Sequence, residues 1–377
     1  MAVEPGDGGG EADDPPGDVR PSRPLADALT RRRALLGMGA VAGIAAVDVG
    51  GFAYAGGWLR PGALTPPRFA DRFEHVYGRH DGFRRNHAKG LSAVGTFAST
   101  GAGAEVCRAA VFRAGSVPVI GRFSLSGGLP DQADMHGTVR GLGLLFQGSD
   151  GQQWRTAMIN IPVFADSTPQ GFYDRLLASK PVPETGKPDP EQMAAFLDRH
   201  PETVAAMKVI KQAPPSAGFA DSAFYGLNAF RFTNGAGASV PVRWAVLPQQ
   251  AAGVPVSSTG KDYLFDELIH ALAQRPLSWR LVLTIGEPGD PTNDATKAWP
   301  RERRTVDAGT ITVTAVQTEA PGNARDINFD PLVLPDGITA SDDPLLAARS
   351  AVYARSFTRR AEEPKKPSEV DVSRVLQ

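Results

Sequence analysis

Cysteine is almost absent from this 377-residue chain, where Cys107 stands alone. A lone cysteine cannot close a disulfide within the chain, and it excludes iron–sulfur clusters and zinc sites built on cysteine pairs. Any resident metal must take His, Tyr, Asp or Glu. Histidine and tyrosine are scarce as well, six of each, so each can be weighed singly. Net charge is nearly missing too: 40 Lys plus Arg against 41 Asp plus Glu leave −1. No global field favours nucleic acid, and no nucleic-acid partner is expected. Glycine and proline, in contrast, number 41 and 32, which implies many tight turns and few long helices. No internal repeat is found. With 42% hydrophobic and 21% charged residues, the chain can bury a large core.

Residues 1–29 are rich in Gly, Pro and acidic residues and poor in large apolar ones, so burial cannot offset their chain entropy and they are expected to be disordered. Thr30-Arg31-Arg32-Arg33-Ala34-Leu35-Leu36 follows, then small apolar residues to Val47 and an Ala53-Tyr54-Ala55 exit. A cationic start, an apolar middle and an A-x-A site over 30–55 resemble a twin-arginine export signal. The alternative is a membrane anchor, because residues 34–59 carry one charge, Asp48, and are long enough to span. An Asp within the apolar layer costs roughly 2.5–3.5 kcal/mol. Cleaved export to the periplasm or another extracytoplasmic space is therefore favoured, with a mature chain starting near Gly56.

Beyond the signal, Pro66 to Tyr77 spaces Phe69, Phe73 and Val76 at helical intervals after a proline pair. Strands are predicted over 117–125, 138–146, 154–161, 227–233, 240–247, 279–285 and 310–316, each bounded by Gly, Pro, Asp or Asn. Helical stretches are predicted over 189–212 and 261–274, and a last helix starts at Pro344 behind the cap Asp343. Short strands with glycine turns and added helices predict an α+β protein built on an antiparallel β-barrel.

Chemistry-bearing residues gather in a few segments. His87 sits in Arg84-Arg85-Asn86-His87-Ala88-Lys89-Gly90, and Arg122-Phe123-Ser124 puts a hydroxyl on a strand. Asn160 ends another strand in Asn160-Ile161-Pro162-Val163-Phe164, and Arg349 and Tyr353 lie one helical turn apart. Taken in order, these segments resemble the haem catalase family. Its HAKG stands at His87 to Gly90, its RFS at Arg122 to Ser124, its RGxxxxF at Arg140 to Phe146, and its NxPxF at Asn160 to Phe164. Its YGxxxF stands at Tyr225 to Phe230 and its RxxxY at Arg349 to Tyr353. One such match would be weak, but six in order are specific. The resemblance covers roughly 66–360, within a haem domain of 56–360 followed by a polar tail over 361–377.

The resemblance implies haem b, with Tyr353 as the iron ligand and a catalase-type barrel. A free phenol ionises near ~10, and an arginine four residues earlier on the same helical face, Arg349, favours the anion. The stripe Leu345, Arg349, Tyr353 and Phe357 supplies that face. The resemblance also assigns His87 as the acid–base group, Ser124 as the hydroxyl that orients it, and Asn160 as the amide that polarises peroxide. Arg84, Arg122 and Arg360 fall where the family binds the haem propionates. His270, His75, His80, His136 and His200 have no partner motif and are expected to be structural or surface residues.

Departures from the family set the expected activity. Only 24 residues follow Tyr353, too few for the helical domain of full-length catalases. Asn86 stands where catalases place a valine, Ala165 where they carry a second phenylalanine, and Asn228 where YGxHxF has histidine. A shorter chain and smaller or polar residues imply a more open haem. The pattern resembles the small catalase-related peroxidases, which reduce organic (alkyl) hydroperoxides and hydrogen peroxide through a ferryl intermediate with an electron donor. The alternatives are a hydrogen peroxide dismutating catalase, or a fatty-acid hydroperoxide isomerase or lyase on the same fold. The partners implied are peroxide and a small-molecule donor; oligomerisation is open, as is membrane attachment if the N-terminal segment is retained.

Overall fold

The computed structural model describes residues 64–213, 216–253 and 260–377. The expected disordered segment 1–29, the export signal over 30–55 and the mature start near Gly56 lie outside the described residues. Ten strands form one sheet: β1 (Gly90–Ser99), β2 (Gly115–Leu125), β3 (Arg140–Gln147), β4 (Gln153–Ile159), β5 (Phe224–Tyr225), β6 (Phe230–Thr233), β7 (Ser239–Pro248), β8 (Leu277–Ile285), β9 (Thr305–Gln317) and β10 (Ile338–Ala340). Their order is β10-β6-β7-β5-β4-β3-β2-β1-β9-β8, antiparallel throughout. β7 also pairs with β8, from Val242 opposite Ile285 to Pro248 opposite Trp279. That second pairing closes eight strands into a barrel, with β6 and β10 as an extension beside β7.

Side chains alternate across the barrel wall. Phe97, Phe123, Phe146, Trp154, Trp244 and Trp279 belong to one continuous core and are 0–4% exposed. Their rings meet closely, Trp154 lying 4.9 Å from Phe146 and 5.1 Å from Trp244 between centroids. The interior is thus filled, and a ligand site must use the outer face of the wall. β4 and β8 show alternating burial, whereas β3 and the second half of β2 are buried almost continuously. Continuous burial means that both faces of these strands are covered.

Helices supply the cover: α1 (Pro66–Tyr77), α2 (Pro169–Ala178), α3 (Pro190–Arg199), α4 (Pro201–Gln212), α5 (Tyr263–Gln274), α6 (Pro344–Glu362) and α7 (Val372–Val375). The stretch predicted over 189–212 is two helices, because Pro201 begins the second and forces His200 out of helical geometry, at φ −127° and ψ 67°. α2 was not anticipated, although Thr168 caps it by accepting from the Gly171 amide, with Pro169 next. β1 was also unanticipated, since its Gly, Ala and Ser residues weaken the alternation. It nevertheless lies between β2 and β9. Asp343 caps α6 as expected, accepting from the Leu345 amide at 2.9 Å. α6 ends at Glu362, two residues beyond the expected domain edge, and the tail folds back to bury Val370. No helix among the described residues is long and apolar enough to cross a membrane.

Candidate active site

A cavity of about 520 Å³ lies on the outer face of β2, β3 and β4 and reaches α6. Period-two geometry explains its floor: Phe123 and Leu125 enter the core while Arg122 and Ser124 face the cavity. Register then brings the opposing residues into line, Ser124 opposite Gly141 and Arg122 opposite Gly143. Gly141 leaves room that no other residue could leave. A Cβ there would lie 2.7 Å from Ser124 Oγ and 3.0 Å from the His87 ring. Gly90 does the same for Arg122, whose Nη2 would sit 2.3 Å from an added Cβ.

His87 occupies that space. Its backbone is left-handed, φ 57°, a conformation that non-glycine residues adopt rarely and usually under local constraint. The constraint is two-way: Asn86 Oδ1 accepts from the Gly127 amide at 2.9 Å, and the Ala88 amide donates to the Gly127 carbonyl at 3.0 Å. Two residues on, Lys89 is fully buried, with Nζ 2.5 Å from Asp134 and 2.6 Å from Asp262. The loop is therefore held at both ends. His87 Nδ1 lies 3.1 Å from Ser124 Oγ. Burial, followed by the charges of Arg122, Arg84 and Arg349, lowers the imidazole from 6.5 to about 3. It is neutral across the physiological range.

α6 forms another wall, and the expected stripe Leu345, Arg349, Tyr353 and Phe357 lines the cavity along it. Arg349 is fixed by two acceptors, Asn228 Oδ1 and the Ala157 carbonyl, the latter at 3.0 Å. Asn228 Nδ2 in turn donates to Asp343 at 2.8 Å. Asp343, already the cap of α6, so anchors Arg349 through a neutral amide. Among the described residues no hydrogen bond joins Arg349 to the Tyr353 phenol. Nor do three His, Cys, Asp or Glu side chains gather there to hold a metal ion. Tyr353 offers a single ligand, which suits a metal that arrives inside a macrocycle.

Arg84, Arg122 and Arg360 all line the cavity. They share one acid, Glu319, whose carboxylate meets Arg122 twice at 2.8 Å and Arg84 at 3.3 Å. Burial raises its pKa, but Arg122 and then Arg84 and Arg360 bring it down from 4.5 to about 2. Arg360 uses the carbonyls of Arg325 and Ile327, and burial and the Arg122 charge lower it to about 10. Three guanidiniums and one carboxylate leave two positive charges in excess, the complement of two propionates.

Asn160 is placed differently from the others. Its Oδ1 accepts from the Arg140 amide at 2.8 Å, and its own amide donates to the Arg140 carbonyl at 3.0 Å. Asn160 itself does not line the cavity, whereas its neighbours Ile159 and Ile161 do. Asn86 and Ala165 are both lining residues. His270, His75, His80, His136 and His200 are not. His270 is exposed on α5, and His200 meets Glu202 at 2.8 Å and stacks on Phe196. Sequence reasoning missed Glu319, Lys89 and the space-making glycines, and it noted Asn228 only as a departure. Gly141, Gly90 and Lys89 sit inside quoted motifs, so a signal was present for them; Glu319 had none.

The catalase family model matches residues 68–366. The chain belongs to the catalase family. It is 38% identical over 331 residues to the catalase-related peroxidase of Synechococcus elongatus, covering 87% of this chain and 95% of that one. It is 33% identical over 304 residues to the catalase-related peroxidase of Mycolicibacterium paratuberculosis, covering 79% and 96%. Plain catalases are more distant: that of Cavia porcellus is 26% identical over 312 residues, covering 78% of this chain and 59% of that protein. Solved structures of a bacterial and a fungal catalase share the fold at TM-scores of 0.65 and 0.66, both at 22% identity, covering 79% and 77% of this chain and 61% of each. The catalase-family barrel expected from sequence is thus the fold observed.

Proposed function

We propose that this catalase-family protein is a haem-dependent peroxidase that reduces organic hydroperoxides and hydrogen peroxide with electrons from a small-molecule donor. The coarser statement, an oxidoreductase acting on peroxide, follows from the family. One observation carries the finer one: a neutral, half-buried imidazole, His87, shares a largely apolar cavity with Tyr353 and a cluster of arginines. The residues present fit haem b. Tyr353 would ligate the iron, and Arg84, Arg122 and Arg360 would hold the propionates. Bound haem would supply the iron at which peroxide is activated and electrons are exchanged.

The chain's own residues manage the proton. His87 Nε2 takes it from one peroxide oxygen and returns it to the other, so that the O–O bond breaks heterolytically. Ser124 holds Nδ1 while this happens. Asn160, its Oδ1 tied to Arg140, keeps Nδ2 as the donor end. In balance, ROOH plus a two-electron donor AH2 gives ROH, water and A. Ala165 leaves more room at the cavity wall than a phenylalanine would, and Asn86 makes the wall more polar than a valine would, which favours an organic donor over a second peroxide as reductant.

The test is haem titration followed by turnover. Wild type should bind haem, and Tyr353→Phe should lose most of it. With an alkyl hydroperoxide and a dye donor, oxidation of the donor should exceed oxygen release from hydrogen peroxide. Rapid oxygen release without donor oxidation would instead identify a dismutating catalase. We place the protein outside the cytoplasm on the strength of Arg31, Arg32 and the apolar run behind them. Replacing both arginines with lysine should then retain it in the cytoplasm; unaltered export would point to a general signal or an anchor.

A further inference from the structure

α2 separates two sites. Phe172 lines the cavity, whereas Tyr173, the next residue and so about 100° further round the helix, turns to the other side. There it lines an open pocket of about 400 Å³ together with Arg68, Asp71, Arg72 and His75 of α1. The two sites lie one ring apart. Phe69 is buried and lines the cavity, and its ring centroid is 5.4 Å from that of Tyr173, edge to face at 87°. Phe172 lies 6.2 Å from the same Phe69 ring.

The outer pocket is cationic. Arg72 sits 4.0 Å from the centroid of the Tyr173 ring, and among the described residues it has no carboxylate partner. His75 meets the Lys180 ammonium at 3.3 Å. Asp71, the one acid among the lining residues, pairs with Arg359 of α6 at 2.5 Å. An anion would therefore meet uncompensated positive charge there. Tyr173 adds a chemistry, because a phenol gives up an electron far more readily than a phenylalanine ring. It is half-buried, so water at the pocket can take its proton while packed rings lead inward.

A reductant that entered the cavity would compete there with the organic hydroperoxide, whereas one held in the outer pocket would not. Resting on the peroxidase reading above, we propose that the outer pocket is a separate donor site for an anionic aromatic reductant, and that Tyr173 passes its electrons inward one at a time. In each step Tyr173 gives an electron toward the cavity and its proton to water. The neutral phenoxyl then takes one electron from the donor anion and one proton from water, which restores the phenol. Arg72 favours this order, because a cation over the ring disfavours a radical that keeps its positive charge. Over two steps ROOH, two donor anions A− and two protons give ROH, water and two A•.

The haem-loaded full chain tests this with ABTS, a disulfonated dye, against guaiacol, a neutral phenol. Calorimetry without peroxide should show ABTS binding, weakened roughly fivefold in Arg72→Glu, the scale of an exposed charge pair. With cumene hydroperoxide as oxidant, that variant should raise the KM for ABTS rather than lower kcat. Tyr173→Phe should do the opposite, losing most of the ABTS kcat relative to that for guaiacol at an unchanged KM, and Tyr173→Trp, which keeps an oxidisable ring, should restore it. Freeze-quenched wild type should show a tyrosyl radical by electron paramagnetic resonance, diminished in Tyr173→Phe. An ABTS-to-guaiacol ratio unchanged in Tyr173→Phe, or ABTS binding unchanged in Arg72→Glu, would overturn the site. Arg72-dependent ABTS binding by a wild type that consumes no peroxide would uphold the anion pocket and sink the peroxidase reading instead.

Discussion

Glu319 offers the sharpest test of how the site holds its cofactor. Among the described residues its carboxylate is the one acid bonded to Arg84 and Arg122, and with Arg360 close by it is held at about 2 rather than 4.5. At ~1.36 kcal/mol per pH unit that drop stabilises the fold by about 3 kcal/mol at neutral pH. The folded value is the lower one, so this stability is complete above about pH 4.5 and is lost as pH falls toward 2. Glu319→Gln keeps the shape and removes the charge. Three guanidiniums then face one another, and breaking such a buried network costs about 3–5 kcal/mol. Burial and the charges of Arg122 and Arg360 already push Arg84 well below its ordinary range.

Bound haem changes this sum. Two propionates placed there would meet an excess of two positive charges in the wild type and three in the variant. Glu319→Gln should therefore lose about 3–5 kcal/mol in the haem-free protein but only about 1 kcal/mol when haem is bound, within the range of one imperfectly compensated charge. Closing the cycle, the folded variant must bind haem more tightly by about 3 kcal/mol, roughly a hundredfold. Urea unfolding of both forms gives the stabilities, and haem transfer to a competing apoprotein gives the affinity. Equal losses in the two forms, or unchanged haem affinity, would show that these arginines do not receive the propionates.

His87→Ala should retain haem while stopped-flow absorbance shows peroxide cleavage slowed by ~10²- to 10⁴-fold; an unchanged rate would move proton transfer to another residue. The pH dependence follows from the same side chain: its folded value of about 3 lies below 6.5, so its contribution is complete above pH 6.5 and fades as pH falls toward 3. Urea midpoints of the wild type should fall more steeply than those of His87→Ala across that interval, by at most about 5 kcal/mol, whereas parallel curves would contradict the assignment. Gly141→Ala should push the imidazole off Ser124, since its Cβ would lie 2.7 Å from Ser124 Oγ. The expected signature is about 1–3 kcal/mol of lost stability and slower peroxide cleavage at nearly normal haem affinity.

The chemistry of the site was legible in the sequence because it is written in local spacing. One helical turn separates Arg349 from Tyr353, and His87, Ser124 and the basic residues sit inside short recognisable segments. What supports them is written in pairings across the chain, which a linear reading does not reveal. Gly141 matters because strand register sets it opposite Ser124, and Glu319 because β9 delivers it to Arg122, 197 residues away. Asn228 reaches Arg349 across 121 positions and Asp343 across 115. The barrel was legible for a related reason: strands such as β4 and β8 alternate, whereas those that do not, such as β3 and β1, are covered on both faces or built from small residues. The same distinction explains Asn160. Its segment is recognisable, yet what its side chain can serve depends on placement: the Arg140 backbone amide holds its oxygen, and the residue itself does not line the cavity.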